Sequence, residues 1–254
     1  MLHGDVLLLQ RLLSDLPWSS GANLAMMNAA PSFSGSPMST PAPLPDHEVT
    51  YRKARDLILF GELAPGEAVT INGIVERLGT GITPAREAIR RLTAEGALRA
   101  SDNRRLMVPK LTLEQLQELT YARTGIEPQI ARLAAVGMET ADIDALEAID
   151  AQVNAALKAG DIQAYLRQNH VFHWTLYAHS EAEILMATAA SHWLRVGPSL
   201  RVIVKRDQST PMADMHEVII EALRDQDYEA VGEALHNDIL QGHSNIAQGL
   251  EDAD

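Results

Sequence analysis

Five polar side chains between residues 123 and 238 of the sequence occupy positions where apolar ones belong. Asn169 and His173 stand four residues apart on the stripe of Ile162, Leu166, Phe172 and Leu176. His216 shares a face with Met212, Ile219, Ile220 and Leu223, Asp238 follows Val231 by seven residues and Ala234 by four, and Arg123 lies among Leu116, Leu119, Ile126 and Ile130. Residues spaced in this way point to one side of a helix, so the pattern predicts five polar groups on inward faces. An unpartnered buried polar group costs about 1–3 kcal/mol, and a charge more, so all five need partners. Singly, each is accounted for as a paired core residue. Together, the Asn169 amide, the imidazoles of His173 and His216 and the Asp238 carboxylate form an N/O donor set for a divalent metal ion such as Zn²⁺, Ni²⁺ or Mn²⁺, with positions left for water or a ligand. Arg123 beside them would hold a small carboxylate-type effector through its planar fork. His192 shares a face with Leu185 and Val196 and is expected to line the same cavity. The chain contains no cysteine, so thiolate sites and disulfides are excluded.

The same centre could activate water, and a metal-dependent hydrolase is the competing reading. No His-Glu-x-x-His or Gly-x-Ser-x-Gly run occurs and no residue stands out as a general base, so no catalytic residue is assigned and a non-enzyme is expected. A third reading is a helical scaffold in which the buried polar groups are structural.

The elements that must position these residues are helical. After Lys110 no strand pattern appears, and Gly or Pro punctuates helical patterns beginning near Thr112, Thr140, Asp161, Glu181, Pro211 and Asp227. Residues 111–248 are therefore expected to form an all-α bundle for effector binding and dimerisation, with 249–254 as a tail. Gly197-Pro198 should kink or divide its helix. Residues 1–46 end in a Pro/Ser-rich stretch and read as a flexible extension.

Residues 47–110 have a different texture. Helical patterns run from Glu48 to about Phe60 and over Ile71–Leu78, stopped by Gly61 and Gly79. Thr83-Pro84 is a good N-cap and first-turn pair, after which Ala85, Ala88, Ile89 and Leu92 repeat with helical spacing. Ala97–Ala100 and Leu106–Pro109 flank a polar turn as a β-hairpin would. Three short helices and a hairpin make a winged helix-turn-helix, so the fold class is mainly α with a small β wing. The net charge of −13 is unevenly spread. Residues 47–110 carry eleven Lys/Arg against eight acids, and residues 111–254 carry nine against twenty-three. An acidic body repels phosphate, which confines DNA contact to the small module. Arg86 and Arg90 stand at i, i+4 opposite the packed face, with Arg91 beside them and Arg104 and Arg105 at the wing tip. Arginine suits such a face because its fork grips guanine or phosphate. No apolar run near the start is long enough for a membrane span, and a cytoplasmic protein with no membrane partner is expected.

The run LILFGELAPGEAVTINGIVERLGTGITPAREAIRRLTAEGAL resembles the DNA-binding domain of GntR-type bacterial transcription regulators, and residues 111–245 resemble the helical effector (FCD) domain of the FadR-type subfamily. The resemblance implies double-stranded operator DNA as partner, contacted by Thr83, Arg86, Arg90, Arg91, Arg104 and Arg105. It also implies a homodimer, and a regulator, expected to be a repressor, controlled by a small organic acid. The family's usual Ser-Arg pair is Gly81-Ile82 here and its second-helix arginine is Asn72, so of three commonly DNA-facing arginines Arg86 remains. In the helical domain the resemblance pairs Arg123 with Glu127 and implies metal ligands at Asn169, His173, His216 and Asp238, the last standing where a histidine is usual. A carboxylate there favours harder ions.

Overall fold

The structure, a computed structural model, describes residues 45–101, 105–205 and 213–251. Arg104, expected at the wing tip, and most of the expected N-terminal extension lie outside the described residues.

The first helix, α1 (Asp46–Leu59), buries Tyr51, Ala54, Leu57 and Ile58. Helix α2 (Ile71–Leu78) is capped by the Thr70 hydroxyl, which accepts from the Gly73 amide at 3.0 Å, and ends at Gly79 in the left-handed conformation. Helix α3 (Ile82–Ala94) buries Ala85, Ala88, Ile89 and Leu92, the face given by the sequence spacing. Its N-cap is Gly81 rather than Thr83, which lies exposed in the first turn. Pro84 can occupy any first-turn position because its missing N–H has no intrahelical use there, so the Thr-Pro pair alone does not fix the helix start.

The wing is a three-stranded antiparallel sheet. Strands β1 (Ala68–Val69), β2 (Arg99–Ala100) and β3 (Leu106–Met107) lie in the order β1-β3-β2, with Ala68 and Arg99 both opposite Met107. The expected hairpin is present, and the apolar stretch before α2 adds the third strand. Side chains of α1, α2, α3 and the sheet close one core around Ile58, Ile74, Leu92 and Leu98.

The helical domain comprises α4 (Leu113–Ala135), α5 (Thr140–Ala159), α6 (Ile162–Tyr177), α7 (Glu183–Val196), a short α8 (Val202–Lys205), α9 (Met215–Arg224) and α10 (Tyr228–Glu251). Thr112 and Gln115 form a reciprocal capping box at the start of α4, Asp161 caps α6 and Asp214 caps α9. Gly197–Arg201 is a 3₁₀ segment, so Gly197-Pro198 divides its helix as expected. Helix α10 lies along α4, α5 along α6 and α9 against α10. One core gathers around Ile130, Phe172, Leu176, Ile219 and Leu235, and another around Leu116, Tyr165, Leu166, Trp193 and Leu200.

The end of α1 docks on the helical domain where two glycines allow close approach. A Cβ on Gly61, whose φ is +72°, would come 2.8 Å from Leu166 Cδ1, and one on Gly197 would come 2.8 Å from Leu59 Cδ1. A side chain at either position would force the facing leucine tip to move, and at Gly61 it would also strain the left-handed backbone.

Candidate functional site

The helices of the second domain enclose a cavity of about 330 Å³, and its lining includes Arg123, Asn169, His173, His216 and Asp238. All five polar residues singled out by helical spacing thus converge, delivered by α4, α6, α9 and α10. Arg123, Asn169, His173 and His216 are buried, and Asp238 keeps 20% side-chain exposure.

Two imidazoles and the carboxylate face one another. His173 Nε2 lies 3.4 Å from His216 Nε2 and 3.4 Å from Asp238 Oδ2, and His216 Nε2 lies 4.0 Å from Asp238 Oδ1. The other ring nitrogen of His216 is 2.8 Å from Asp150 Oδ1. That contact turns the ring so that Nε2 faces the centre, the arrangement in which a carboxylate orients a metal-binding histidine. Asp150 is held in turn, because Asn154 Nδ2 donates to both Asp150 Oδ2 and Asp214 Oδ2 at 3.0 Å. The Asp214 carboxylate also caps the first turn of α9, which begins one residue before His216.

Burial depresses the His173 pKa well below the ordinary histidine value, reinforced by the charges of His216 and Arg123. A neutral imidazole is the ligand form. For His216 burial also opposes the charged form, but the Asp150 hydrogen bond and the charges of Asp238, Asp150 and Asp214 outweigh it and raise the pKa. Burial raises the Asp238 pKa against the opposing pull of His216 and Arg123.

Donors that converge this closely fit a divalent cation. Two ligands at about 2.1 Å from one tetrahedral centre stand about 3.4 Å apart, the separation of the two Nε2 atoms. His173 Nδ1 is buried without a hydrogen-bond partner among the described residues, and Nε2 is the nitrogen that faces His216 and Asp238. His173, His216 and Asp238 would hold the ion, with the Asn169 amide on the same cavity wall; when bound, it would supply a Lewis-acidic point for a carboxylate oxygen.

Arg123 is fixed by a residue outside the donor set. Its Nε and Nη2 donate to the two Glu127 oxygens at 2.6 and 3.1 Å, while Tyr177 Oη (2.7 Å) and Trp193 Nε1 (2.9 Å) also donate to Glu127. Glu127 is fully buried, and the Trp193 ring lies 4.9 Å from the Arg123 guanidinium carbon. Four donors on one carboxylate fix it in place and hold Arg123 rigid, leaving Nη1 without a hydrogen-bond partner among the described residues. Asp150 lies on the stripe of Ile143, Leu146 and Val153, so the same periodic signal that marks Asn169 marks it too.

His192 is not in this lining. It borders a second cleft of about 370 Å³ between the modules, with Arg99, Gln115, Glu118 and Arg195. The reason is the position of α7, whose successive residues point about 100° apart and meet different neighbours. Trp193 faces the first cavity, Leu194 enters the core of the winged module, and Arg195 Nε donates to the Glu95 carbonyl at 3.2 Å. A second contact runs parallel to α7. Phe60, just after α1, meets His170 edge-on at 5.5 Å, and His170 stacks on Trp174 at 4.4 Å and meets Trp193 at 5.5 Å. Burial pushes the His170 pKa down to about 4, so this ring is neutral at physiological pH.

On the winged module the basic residues divide. Arg86 is exposed and makes no hydrogen bond or ion pair among the described residues. Arg90 is exposed and, among the described residues, paired with Glu87 alone, one turn away. Arg91 turns toward α1, bonded to Glu48 (2.9 Å) and Glu95 (3.0 Å) and stacked 3.5 Å above the Tyr51 ring, so its charge serves the module rather than the outer face. Arg105 is exposed beside β3.

Two family models together cover most of the chain: the gntR family of bacterial regulatory proteins matches residues 47–108 and the FCD domain residues 118–241. The chain belongs to the GntR family of regulators. This GntR regulator is 28% identical over 191 residues to the HTH-type transcriptional regulator McbR of Escherichia coli, covering 74% of this chain and 85% of the relative. It is 27% identical over 206 residues, 76% and 89% of the two chains, to a probable D-xylose utilization operon transcriptional repressor of Paenarthrobacter nicotinovorans. The solved structure of Escherichia coli McbR/YncC superposes with a TM-score of 0.73 at 24% identity, over 82% of this chain and all of the other, and shares its fold. A GntR regulator structure from Rhodococcus sp. superposes at 0.61 with 20% identity, over 79% and 96%. The GntR regulator is thus a DNA-binding transcription regulator and not an enzyme, and the hydrolase reading finds no support. No helix among the described residues is long and apolar enough to cross a membrane.

Proposed function

We propose that the protein is a repressor whose operator affinity is set by a small organic acid bound beside a divalent metal ion in the helical domain. Arg86, Arg90, Thr83 and Arg105 meet the operator, and a homodimer presents two α3 helices to a pseudo-palindromic site in the cytoplasm. In the cavity His173, His216, Asp238 and Asn169 hold the ion, and Arg123, with Nη1 free of other partners among the described residues, takes a carboxylate of the effector.

The observation that carries this reading is the sharing of α7 by both modules. Trp193 contacts the Arg123–Glu127 pair while the next residue, Leu194, is part of the winged module's core. A ligand that displaces Arg123 or Trp193 therefore acts on the helix that seats the DNA module. Differential affinity for two seatings is the thermodynamic requirement for control of DNA binding. The relative that acts as a probable sugar-operon repressor supports the sense of regulation.

The test is a thermal-shift screen of the full chain against a panel of carboxylic acids, with Mn²⁺, Ni²⁺ or Zn²⁺ and with chelator. A stabilising acid should require the metal and should change the affinity for DNA selected from a random duplex pool. Stabilisation by no acid or metal would leave the buried polar groups as scaffold.

A further inference from the structure

The outer face of α3 begins with an apolar residue that the fold does not use. Ile82 is the first residue of the helix and is 56% exposed, whereas Ala85, Ala88, Ile89 and Leu92 fill the module's core from the opposite face. One turn on from Ile82 stands Arg86, exposed and unpaired among the described residues, and one turn further Arg90, giving a single stripe of Ile82, Arg86 and Arg90 with Thr83 beside its start. The Gly79–Gly81 turn presents this end of the helix outward, its backbone fixed by the left-handed Gly79 and by a 2.8 Å hydrogen bond between the Thr80 and Thr50 hydroxyls. Gly81 offers no side-chain cap and the first turn holds no acidic residue, so the positive end of the helix remains open to phosphate.

A recognition helix in a major groove brings its N-terminal residues to the base edges. An aliphatic side chain there has one apolar partner among the four bases, the C5 methyl of thymine. We propose that Ile82 is a specificity-determining residue that reads a thymine methyl in the operator half-site, next to a base or phosphate held by Arg86. Four residues of helix rise about 6 Å, against 3.4 Å per base pair, so the thymine lies about two steps from the Arg86 contact. The inference rests on the operator-binding reading above and adds the base class read.

The experiment starts from sites enriched by the full chain from a random duplex pool, in which each thymine is then replaced by deoxyuridine. That change removes the methyl group alone. Loss of one buried methyl contact corresponds to about a fourfold weaker affinity. At one position per half-site wild type should show that loss, Ile82→Ala should bind thymine and deoxyuridine sites alike, and Ile82→Arg should shift preference there toward guanine. Because Ile82 is exposed, Ile82→Ala should melt like wild type. Equal deoxyuridine effects in wild type and Ile82→Ala, or none, would overturn the inference while leaving operator binding intact. Enrichment of no sequence would overturn both.

Discussion

The winged module and the helical domain use arginine in opposite ways. Arg86 stands in water without a partner among the described residues, on a helix whose other face is packed. Arg123 is buried and clamped by a carboxylate that two further donors hold in place. The first arrangement costs the fold nothing and leaves the whole guanidinium for a polyanion. The second surrenders part of the fork to gain rigidity, which suits a small ligand that must be recognised in one pose. An exposed, unpaired arginine such as Arg86 is thus available for binding at no cost to the fold, whereas the buried Arg123 pair contributes to stability as well.

Mutations that separate these uses should differ in kind. Glu127→Ala leaves the Arg123 cation buried and unpaired and strips Tyr177 and Trp193 of their acceptor, so chemical unfolding should show a loss of about 3–5 kcal/mol, the cost of breaking a buried ion pair. Leu194→Ala removes a side chain that the helical domain contributes to the winged module's core, with an expected loss of about 2–4 kcal/mol and a weakened response of DNA binding to the effector. Arg86→Ala should leave the melting temperature unchanged and weaken operator binding by about tenfold or more. Arg91→Ala should do the reverse, with operator affinity nearly unchanged and stability reduced by less than about 1 kcal/mol, since its partners are Glu48 and Glu95. A large stability effect in Arg86→Ala, or a large DNA effect in Arg91→Ala, would break the distinction.

A separate effect lies in alkali. Burial and the hydrogen bonds to Glu95 push the Tyr51 hydroxyl from 10.0 up to about 12. The protonated form is favoured in the folded state, so its contribution is fully present below pH 10 and is lost as pH rises toward 12. Denaturation between those values should show a steeper fall in wild type than in Tyr51→Phe, which keeps the alkaline loss due to the buried Tyr165 and Tyr177.

Helical periodicity reached far in the helical domain because burial imposes it. A polar residue on an apolar stripe must turn inward, and Arg123, Asn169, His173, His216 and Asp238 all line the cavity for that reason. His192 obeyed the same periodicity yet lies in another cleft, because α7 is packed on several sides and spacing along one helix does not identify the neighbour across from it. The partner of Arg91 was equally hidden, since Glu48 is 43 residues away and only tertiary packing brings it near. Strand β1 is two residues long and owes its existence to pairing with β3, so its own composition could not announce it. Within the winged module, Gly79 and the apolar spacing of α3 marked their elements well, but Thr83-Pro84 set the helix start two residues late.

The most direct test is the operator affinity of the full chain, by fluorescence anisotropy on a selected duplex, in chelator and with Mn²⁺, Ni²⁺ or Zn²⁺, each with and without an organic acid that stabilises the protein. A coupled site should change the dissociation constant about fivefold or more with at least one ion, the lower end of ordinary allosteric coupling, and His173→Ala should abolish that change while retaining the chelator-state affinity. A wild-type affinity that is identical under every ion and in chelator, or a metal response that persists unchanged in His173→Ala, would contradict a metal centre that controls DNA binding.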